Sequence, residues 1–84
     1  MDQLRRQFSN LETRLQEVER ALNEATQTLD HLNQRLADSS LYLNQKDTFE
    51  TIETHRKVQE RIKELSTLWE SLAIELEEIR GMTL

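Results

Sequence analysis

Apolar residues recur along the first half of the chain at alternating steps of three and four. The series is Leu4, Phe8, Leu11, Leu15, Val18, Leu22, Ala25, Leu29, Leu32 and Leu36, with no interruption. Such a heptad pattern places all its members on one stripe of a helix, the seam, along which a second helix packs. It predicts one helix over about residues 3–37, roughly 50 Å long at about 1.5 Å per residue.

A second heptad series follows towards the C-terminus. Its members are Val58, Ile62, Leu65, Trp69, Leu72, Leu76 and Ile79. The same phase continued backwards puts three polar residues, Thr48, Thr51 and His55, on the seam. The pattern predicts a second helix over about residues 47–80, in which Asp47 and Glu50 form an N-terminal capping box. Gly81 is expected to end this helix.

Residues 38–46, between the two series, are predicted to form a tip that reverses the chain. Asp38, Ser39 and Ser40 favour caps and turns, because their side chains compete for nearby backbone groups. Leu41 and Tyr42 are predicted to pack against the end of the hairpin and to be at least half buried. Three further apolar residues near them are expected to join this packing: Leu43, Phe49 and Ile52.

Two seams of similar length joined by a short tip predict an all-α fold, a two-helix antiparallel coiled-coil hairpin, as a single domain over residues 1–84. Antiparallel pairing brings Arg5 and Arg6 close to the glutamates near the end of the second helix. One register that matches small residues to large ones places Val18 near Trp69, and likewise Ala25 near Ile62. Such a thin core predicts modest stability, and a monomer or a weak homodimer formed through Leu68 and Ile74.

Composition and charge narrow the classes of function. The net charge is -5, which excludes a uniformly basic nucleic-acid binder, and the absence of cysteine excludes disulfides and thiolate metal sites. No apolar run reaches membrane-spanning length and no signal peptide is visible, so a cytoplasmic location without membrane contact is expected.

The two histidines, His31 and His55, do not have the spacing of a metal site. A two-helix hairpin offers no shielded pocket, so this segment is not expected to catalyse a reaction or to bind a metal or a cofactor.

Cations concentrate in the half of the hairpin nearer the tip, whereas glutamates dominate after Glu64. The candidate nucleic-acid-binding residues are Arg35, Lys46, Arg56, Lys57, Arg61 and Lys63. The competing interpretation is an ordinary solvated face, in which Glu53 pairs with Lys57, and Arg56 with Glu60, one helical turn away. Tyr42 and Trp69 could stack on bases, but packing within the hairpin is the favoured interpretation for both.

The tip segment Leu36-Ala37-Asp38-Ser39-Ser40-Leu41-Tyr42, followed by Trp69-Glu70-Ser71-Leu72, resembles the C-terminal coiled-coil domain of ABC-F family ATP-binding cassette proteins. The resemblance covers nearly the whole chain. Ser39 stands where the family often has Pro, and the aromatic-Lys-Glu element that often begins the family domain is not visible near Met1.

The resemblance implies that the chain is a C-terminal fragment of a larger ATPase with two cassettes, which bind ATP and Mg²⁺, and no membrane domain. It also implies contact with DNA, ribosomal RNA, transfer RNA or the ribosome. The chain itself lacks the Gly-rich phosphate loop and is not expected to hydrolyse ATP. Two alternatives stay open, a purely structural coiled coil for dimerisation or spacing, and a tRNA-contacting arm of an aminoacyl-tRNA synthetase.

Overall fold

The chain folds into two long helices connected by one short turn. The computed structural model describes residues 2–83, and for Thr83 only the backbone. Helix α1 spans Asp2–Ala37, a 3₁₀ turn that we call the tip turn spans Ser39–Leu43, and helix α2 spans Gln45–Thr83. The helices pack side by side in a rod of 62 × 15 × 14 Å. The predicted all-α helical hairpin is confirmed.

Two hydrogen bonds between the helices fix their direction. The indole Nε1 of Trp69 donates to Oε1 of Glu19 at 3.0 Å. Nearer the tip, Nε2 of His55 lies 2.8 Å from Oδ1 of Asn33. Going forward along α1 from Glu19 to Asn33, the bonded partners on α2 go backward by the same number of residues, from Trp69 to His55. This relation holds only for antiparallel helices.

The base of the hairpin, the end that carries both chain termini, has the same register. The guanidinium carbon of Arg80 lies 5.7 Å from the ring centroid of Phe8, within the range of a cation–π contact. Towards the middle, Val18 and Leu72 belong to one buried cluster against which Trp69 packs. The predicted proximity of Val18 to Trp69 agrees with this cluster.

The core is a single line of side chains along the seam. The buried apolar residues are Leu11, Val18, Ala25 and Leu72 along the seam, together with Leu41 in the tip turn. The polar seam residue Thr51 is also buried, as its phase predicts, and its hydroxyl donates to the carbonyl of Asp47 at 2.7 Å. Such a bond satisfies the hydroxyl within its own helix, so Thr51 costs the core little.

The start of α2 differs from the prediction. Asn44 precedes the helix, and its side-chain oxygen accepts a hydrogen bond from the backbone N–H of Asp47 at 3.2 Å. An asparagine in this position caps the free N–H groups of the first turn. The helix therefore begins at Gln45, before Asp47, and the predicted capping box of Asp47 and Glu50 is wrong.

The end of α2 also differs. The helix passes through Gly81 and continues to Thr83. Glycine ends a helix by adopting a positive φ, but Gly81 has no such φ. The predicted stop at Gly81 is therefore wrong.

The tip turn buries one of its three apolar residues. Leu41 is buried as predicted, whereas Tyr42 is 53% exposed and Leu43 is 88% exposed. A 3₁₀ turn has about three residues per turn, so consecutive side chains point in different directions and one of them fits between the helices. The prediction of at least half burial is therefore wrong for Tyr42, and Leu43 does not join the packing.

The two apolar residues of α2 nearest the tip are exposed as well. Phe49 is 69% exposed and Ile52 is 52% exposed. Both lie out of phase with the seam, so α1 does not cover them. The predicted packing of Phe49 and Ile52 over the tip is wrong.

Hydrogen bonds define the tip turn and join it to α2. The carboxylate of Asp38 accepts from the backbone N–H of Ser40 at 2.9 Å and from its hydroxyl at 2.8 Å. These two bonds lower the pKa of Asp38 below its ordinary value. The hydroxyl of Thr48 in α2 donates to the carbonyl of Leu41 at 3.0 Å. The turn thus has a defined position at the far end of the rod.

Candidate nucleic-acid interface

Arg56 is held by carboxylates of its own helix. Its Nε lies 3.2 Å from Oε1 of Glu53, its Nη2 also contacts this oxygen, and its Nη1 lies 2.7 Å from Oε1 of Glu60. The two glutamates raise the pKa of Arg56, and Arg56 lowers that of Glu53. The positive charge of Arg56 is therefore largely balanced by these two carboxylates when no phosphate is bound.

The two candidates nearest the tip also have acidic neighbours. Nζ of Lys46 lies 3.9 Å from Oε1 of Glu50, and both side chains are well exposed. Arg35 lines shallow grooves beside Asp38, Asp47 and Glu50. The surface around the tip turn is thus mixed in charge, which does not favour phosphate there.

The remaining three candidates are exposed cations, and one of them, Arg61, shares a groove with Glu24 of α1. Within the described residues 2–83, no ion pair joins Lys57, Arg61 or Lys63 to a carboxylate. The predicted pair of Arg56 with Glu60 forms, whereas the predicted pair of Glu53 with Lys57 does not. Glu53 instead bonds Arg56.

Four of the six candidates are divided between two sides of α2, whereas Arg35 lies on α1 and Lys46 lies at the start of α2. Lys57 and Arg61 are four residues apart and therefore neighbours on the same helix face. Arg61 borders a groove between the helices, which Thr28 and Val58 also line. Arg56 and Lys63 are seven residues apart and share the other side. The structure therefore brings Lys57 and Arg61 together but does not gather all six candidates on one surface.

The two aromatic candidates for base stacking are engaged within the hairpin. Trp69 lies on the seam and bonds Glu19 through its indole N–H. The hydroxyl of Tyr42 donates to the carbonyl of Leu36 at 2.6 Å. The ring of Tyr42 is partly accessible, but its polar atom is already used. These contacts agree with a packing role for Trp69, whereas Tyr42 is held by its hydroxyl and its ring is not packed in the core.

Within the part of the chain that the structure describes, no group of three or more His, Cys, Asp or Glu side chains is arranged to hold a metal ion. Across residues 2–83, neither helix contains a stretch with the length and apolar character that crossing a bilayer needs.

Sequence reasoning did not anticipate the exposed apolar residues Phe49 and Ile52 as a surface feature. Their departure from the heptad phase was the available signal, because a residue outside the seam has no partner helix to cover it.

Comparison of the chain with protein-family models, with curated proteins and with solved structures returns no match. The resemblance to the ABC-F C-terminal domain therefore depends on the tip and Trp69 motifs alone.

Proposed function

We propose that the chain is a non-catalytic coiled-coil arm that contacts nucleic acid, as free DNA or RNA or within the ribosome. The observation that carries the proposal is the pair Lys57 and Arg61. Both are exposed, adjacent on one side of α2, and without an ion-pair partner among residues 2–83. Unpaired cations on a rigid helix give up no existing ion pair when they bind phosphate.

The shape of the hairpin supports a contact role. A rod 62 Å long and about one helix pair wide presents side chains at a distance from its base. The surface of residues 2–83 includes open grooves between the helices, lined in part by exposed side chains. Such a surface suits binding along a phosphate backbone better than chemistry, which needs a site shielded from water.

The parent protein that we propose is an ATPase of the ABC-F type, with this arm at its C-terminus. This part of the proposal depends on the sequence resemblance at the tip and at Trp69. In that setting the base of the hairpin joins the cassettes, and the cations nearer the tip extend towards nucleic acid. Binding is expected to be weak and tolerant of sequence, because phosphate contacts carry no sequence information.

A purely structural coiled coil is the second candidate function. The observation that favours it is that three exposed cations are paired with glutamates of their own helix. The pairs are Lys46 with Glu50, Arg56 with Glu53 and Glu60, and Arg80 with Glu77. A hairpin used only as a spacer needs no more than such a solvated surface.

The test is titration of fluorescently labelled duplex DNA and single-stranded RNA with the 84-residue chain at low salt. Replacing Lys57 and Arg61 by Glu should abolish or strongly weaken binding, because two phosphate contacts are lost and two repulsions are gained. For duplex DNA, each lost contact should flatten the slope of log K against log salt by about 0.9.

The matched control carries Arg5→Glu and Arg6→Glu at the base of the hairpin, which changes the net charge by the same amount. This control should bind nearly as well as the wild type. The proposal fails if the wild type binds neither nucleic acid at low salt. It also fails if the control loses as much affinity as the Lys57 and Arg61 variant.

A further inference from the structure

Two rows of side chains on α2 form a continuous stripe beside the seam. The first row contains Phe49, Arg56, Lys63, Glu70 and Glu77, and the second contains Ile52, Gln59, Ser66, Ala73 and Arg80. Residues of one row are seven positions apart and so stay in line along a coiled coil. The rows are neighbours because their members are three or four positions apart. We call this surface the outer stripe.

The charge along the first row of the outer stripe reverses at its middle. Arg56 and Lys63 stand on the side of the tip, whereas Glu70 and Glu77 stand on the side of the base. If a second copy lies antiparallel, its Glu70 meets Lys63 and its Glu77 meets Arg56. The two-fold symmetry repeats both pairs, so the surface is complementary to itself. A parallel copy would instead place like charges together.

The second row allows close approach at the same centre. Ser66 lies midway between Lys63 and Glu70 and therefore falls near the two-fold axis of such a dimer. Its short side chain keeps the two copies of α2 from being held apart. Gln59 and Ala73, one heptad to either side, are uncharged. Near the two-fold axis, charge is thus confined to the first row, and the one charged residue of the second row, Arg80, lies at the end of the stripe.

The outer stripe also carries apolar area that the hairpin leaves uncovered. Phe49 and Ile52 are more than half exposed, and the seam residues Ile62, Trp69 and Leu76 beside the stripe are only partly buried. Helical scaffolds of this size usually need an additional source of stability beyond their own core, and oligomerisation is a common one. A second copy would supply it by covering the seam residues beside the middle of the stripe.

We propose that two copies of the chain associate antiparallel through the outer stripe of α2. From Phe49 to Arg80 the stripe is about 47 Å long at about 1.5 Å per residue, and about 10 Å wide. This contact is smaller than the about 800 Å² that each partner of a standard interface buries. The dimer is therefore expected to be weak, as small interfaces typically are.

Lys63 and Glu70 contribute more to this association than Arg56 and Glu77. Lys63 forms no ion pair among residues 2–83, so its ammonium group is available. Arg56 already donates from three of its nitrogens to carboxylates of its own helix. Its guanidinium group has five N–H donors, so it retains donors for Glu77 of the second copy.

The dimer uses the side of α2 opposite to Lys57 and Arg61. It therefore goes beyond the proposed contact with nucleic acid and does not depend on it. Failure of one proposal leaves the other intact, because different residue pairs carry them.

The test is sedimentation equilibrium of the 84-residue chain over concentrations on either side of about 100 µM. The wild type should dimerise. Arg56→Glu with Lys63→Glu makes all four charged positions of the first row acidic, and Glu70→Lys with Glu77→Lys makes all four basic. Each double variant should self-associate at least about tenfold more weakly, because like charges then face each other. An equimolar mixture of the two should form a heterodimer.

The control Lys57→Glu with Arg61→Glu changes the net charge equally on the other side of α2 and should dimerise like the wild type. Circular dichroism of every variant establishes that the helices are intact. Recovery of association in the mixture supports the proposal even if one variant is less stable. A monomeric wild type, a mixture that stays monomeric, or an equal loss in the control would overturn it.

Discussion

Tyr42 is attached to the hairpin by its hydroxyl group more than by its ring. The ring is about half exposed, whereas the hydroxyl donates to the carbonyl of Leu36 at 2.6 Å. That carbonyl lies in the last turn of α1, where carbonyl groups lack partners within the helix. Tyr42 therefore caps the end of α1 from the tip turn, and its neighbour Leu41 supplies the buried apolar contact.

Replacing Tyr42 by Phe should lower the free energy of unfolding by about 0.5–1.5 kcal/mol, because one intramolecular hydrogen bond is lost and the ring remains. Urea denaturation followed by circular dichroism measures the change. Leu43→Ala is the control in the same turn, and it should stay within about 0.5 kcal/mol of the wild type because Leu43 is exposed. If Tyr42→Phe were as stable as the wild type, the proposed capping of α1 by the hydroxyl of Tyr42 would be contradicted.

The orientation of individual tip residues could not be predicted from the sequence. Heptad spacing assigns a face to every residue of a regular helix, but the tip turn has no such repeat. Leu41, Tyr42 and Leu43 have similar apolar character, and only the geometry of the 3₁₀ turn decides which one is buried. The partner of Glu53 was likewise not predictable, because Arg56 and Lys57 both lie within its reach.

At the scale of the helices, packing along one narrow seam holds α1 and α2 together. Leu72 is the most deeply buried residue, with 2% of its surface exposed, and it contacts Leu11 and Val18 of α1 in one cluster. Most other seam residues keep some contact with water, since a hairpin of two helices has no third layer to cover them. Stability therefore depends strongly on a few positions.

Leu72→Ala should lower the free energy of unfolding by about 2–5 kcal/mol, through lost apolar transfer and an unfilled cavity. The natural control is Ile74→Ala, two residues away on the same helix, because Ile74 is largely exposed. That variant should change stability by no more than about 0.5 kcal/mol. Thermal and urea denaturation of the two variants measure these changes. Similar losses of stability in both variants would contradict the packing of α2.

The heptad pattern was sufficient to predict both helices, their antiparallel pairing and the polar seam position Thr51. It could not locate the ends of α2. Asn44 caps the helix because its side-chain oxygen reaches the N–H of Asp47, a contact that depends on the path of the tip turn. Gly81 permits a helix end without requiring one, and here the backbone continues in helical geometry.

At the scale of the whole molecule, the rod divides its cations between two sides. Lys57 and Arg61 lie on one side of α2, and Arg56 and Lys63 lie on the other. The sequence was sufficient to predict that cations concentrate nearer the tip. The division between sides follows from residue spacing on the helix, but the engagement of Arg56 with Glu53 and Glu60 appears only in the structure.

The most direct test of the proposed arm is an NMR titration of the ¹⁵N-labelled 84-residue chain with a short duplex DNA and, separately, a short single-stranded RNA. We expect chemical-shift changes centred on Lys57 and Arg61 and on the α1 residues beside them, Glu24 and Thr28. Residues at the base, near Phe8 and Arg80, should not change. Shifts confined to the base, or no shift with either nucleic acid at low salt, would contradict the account.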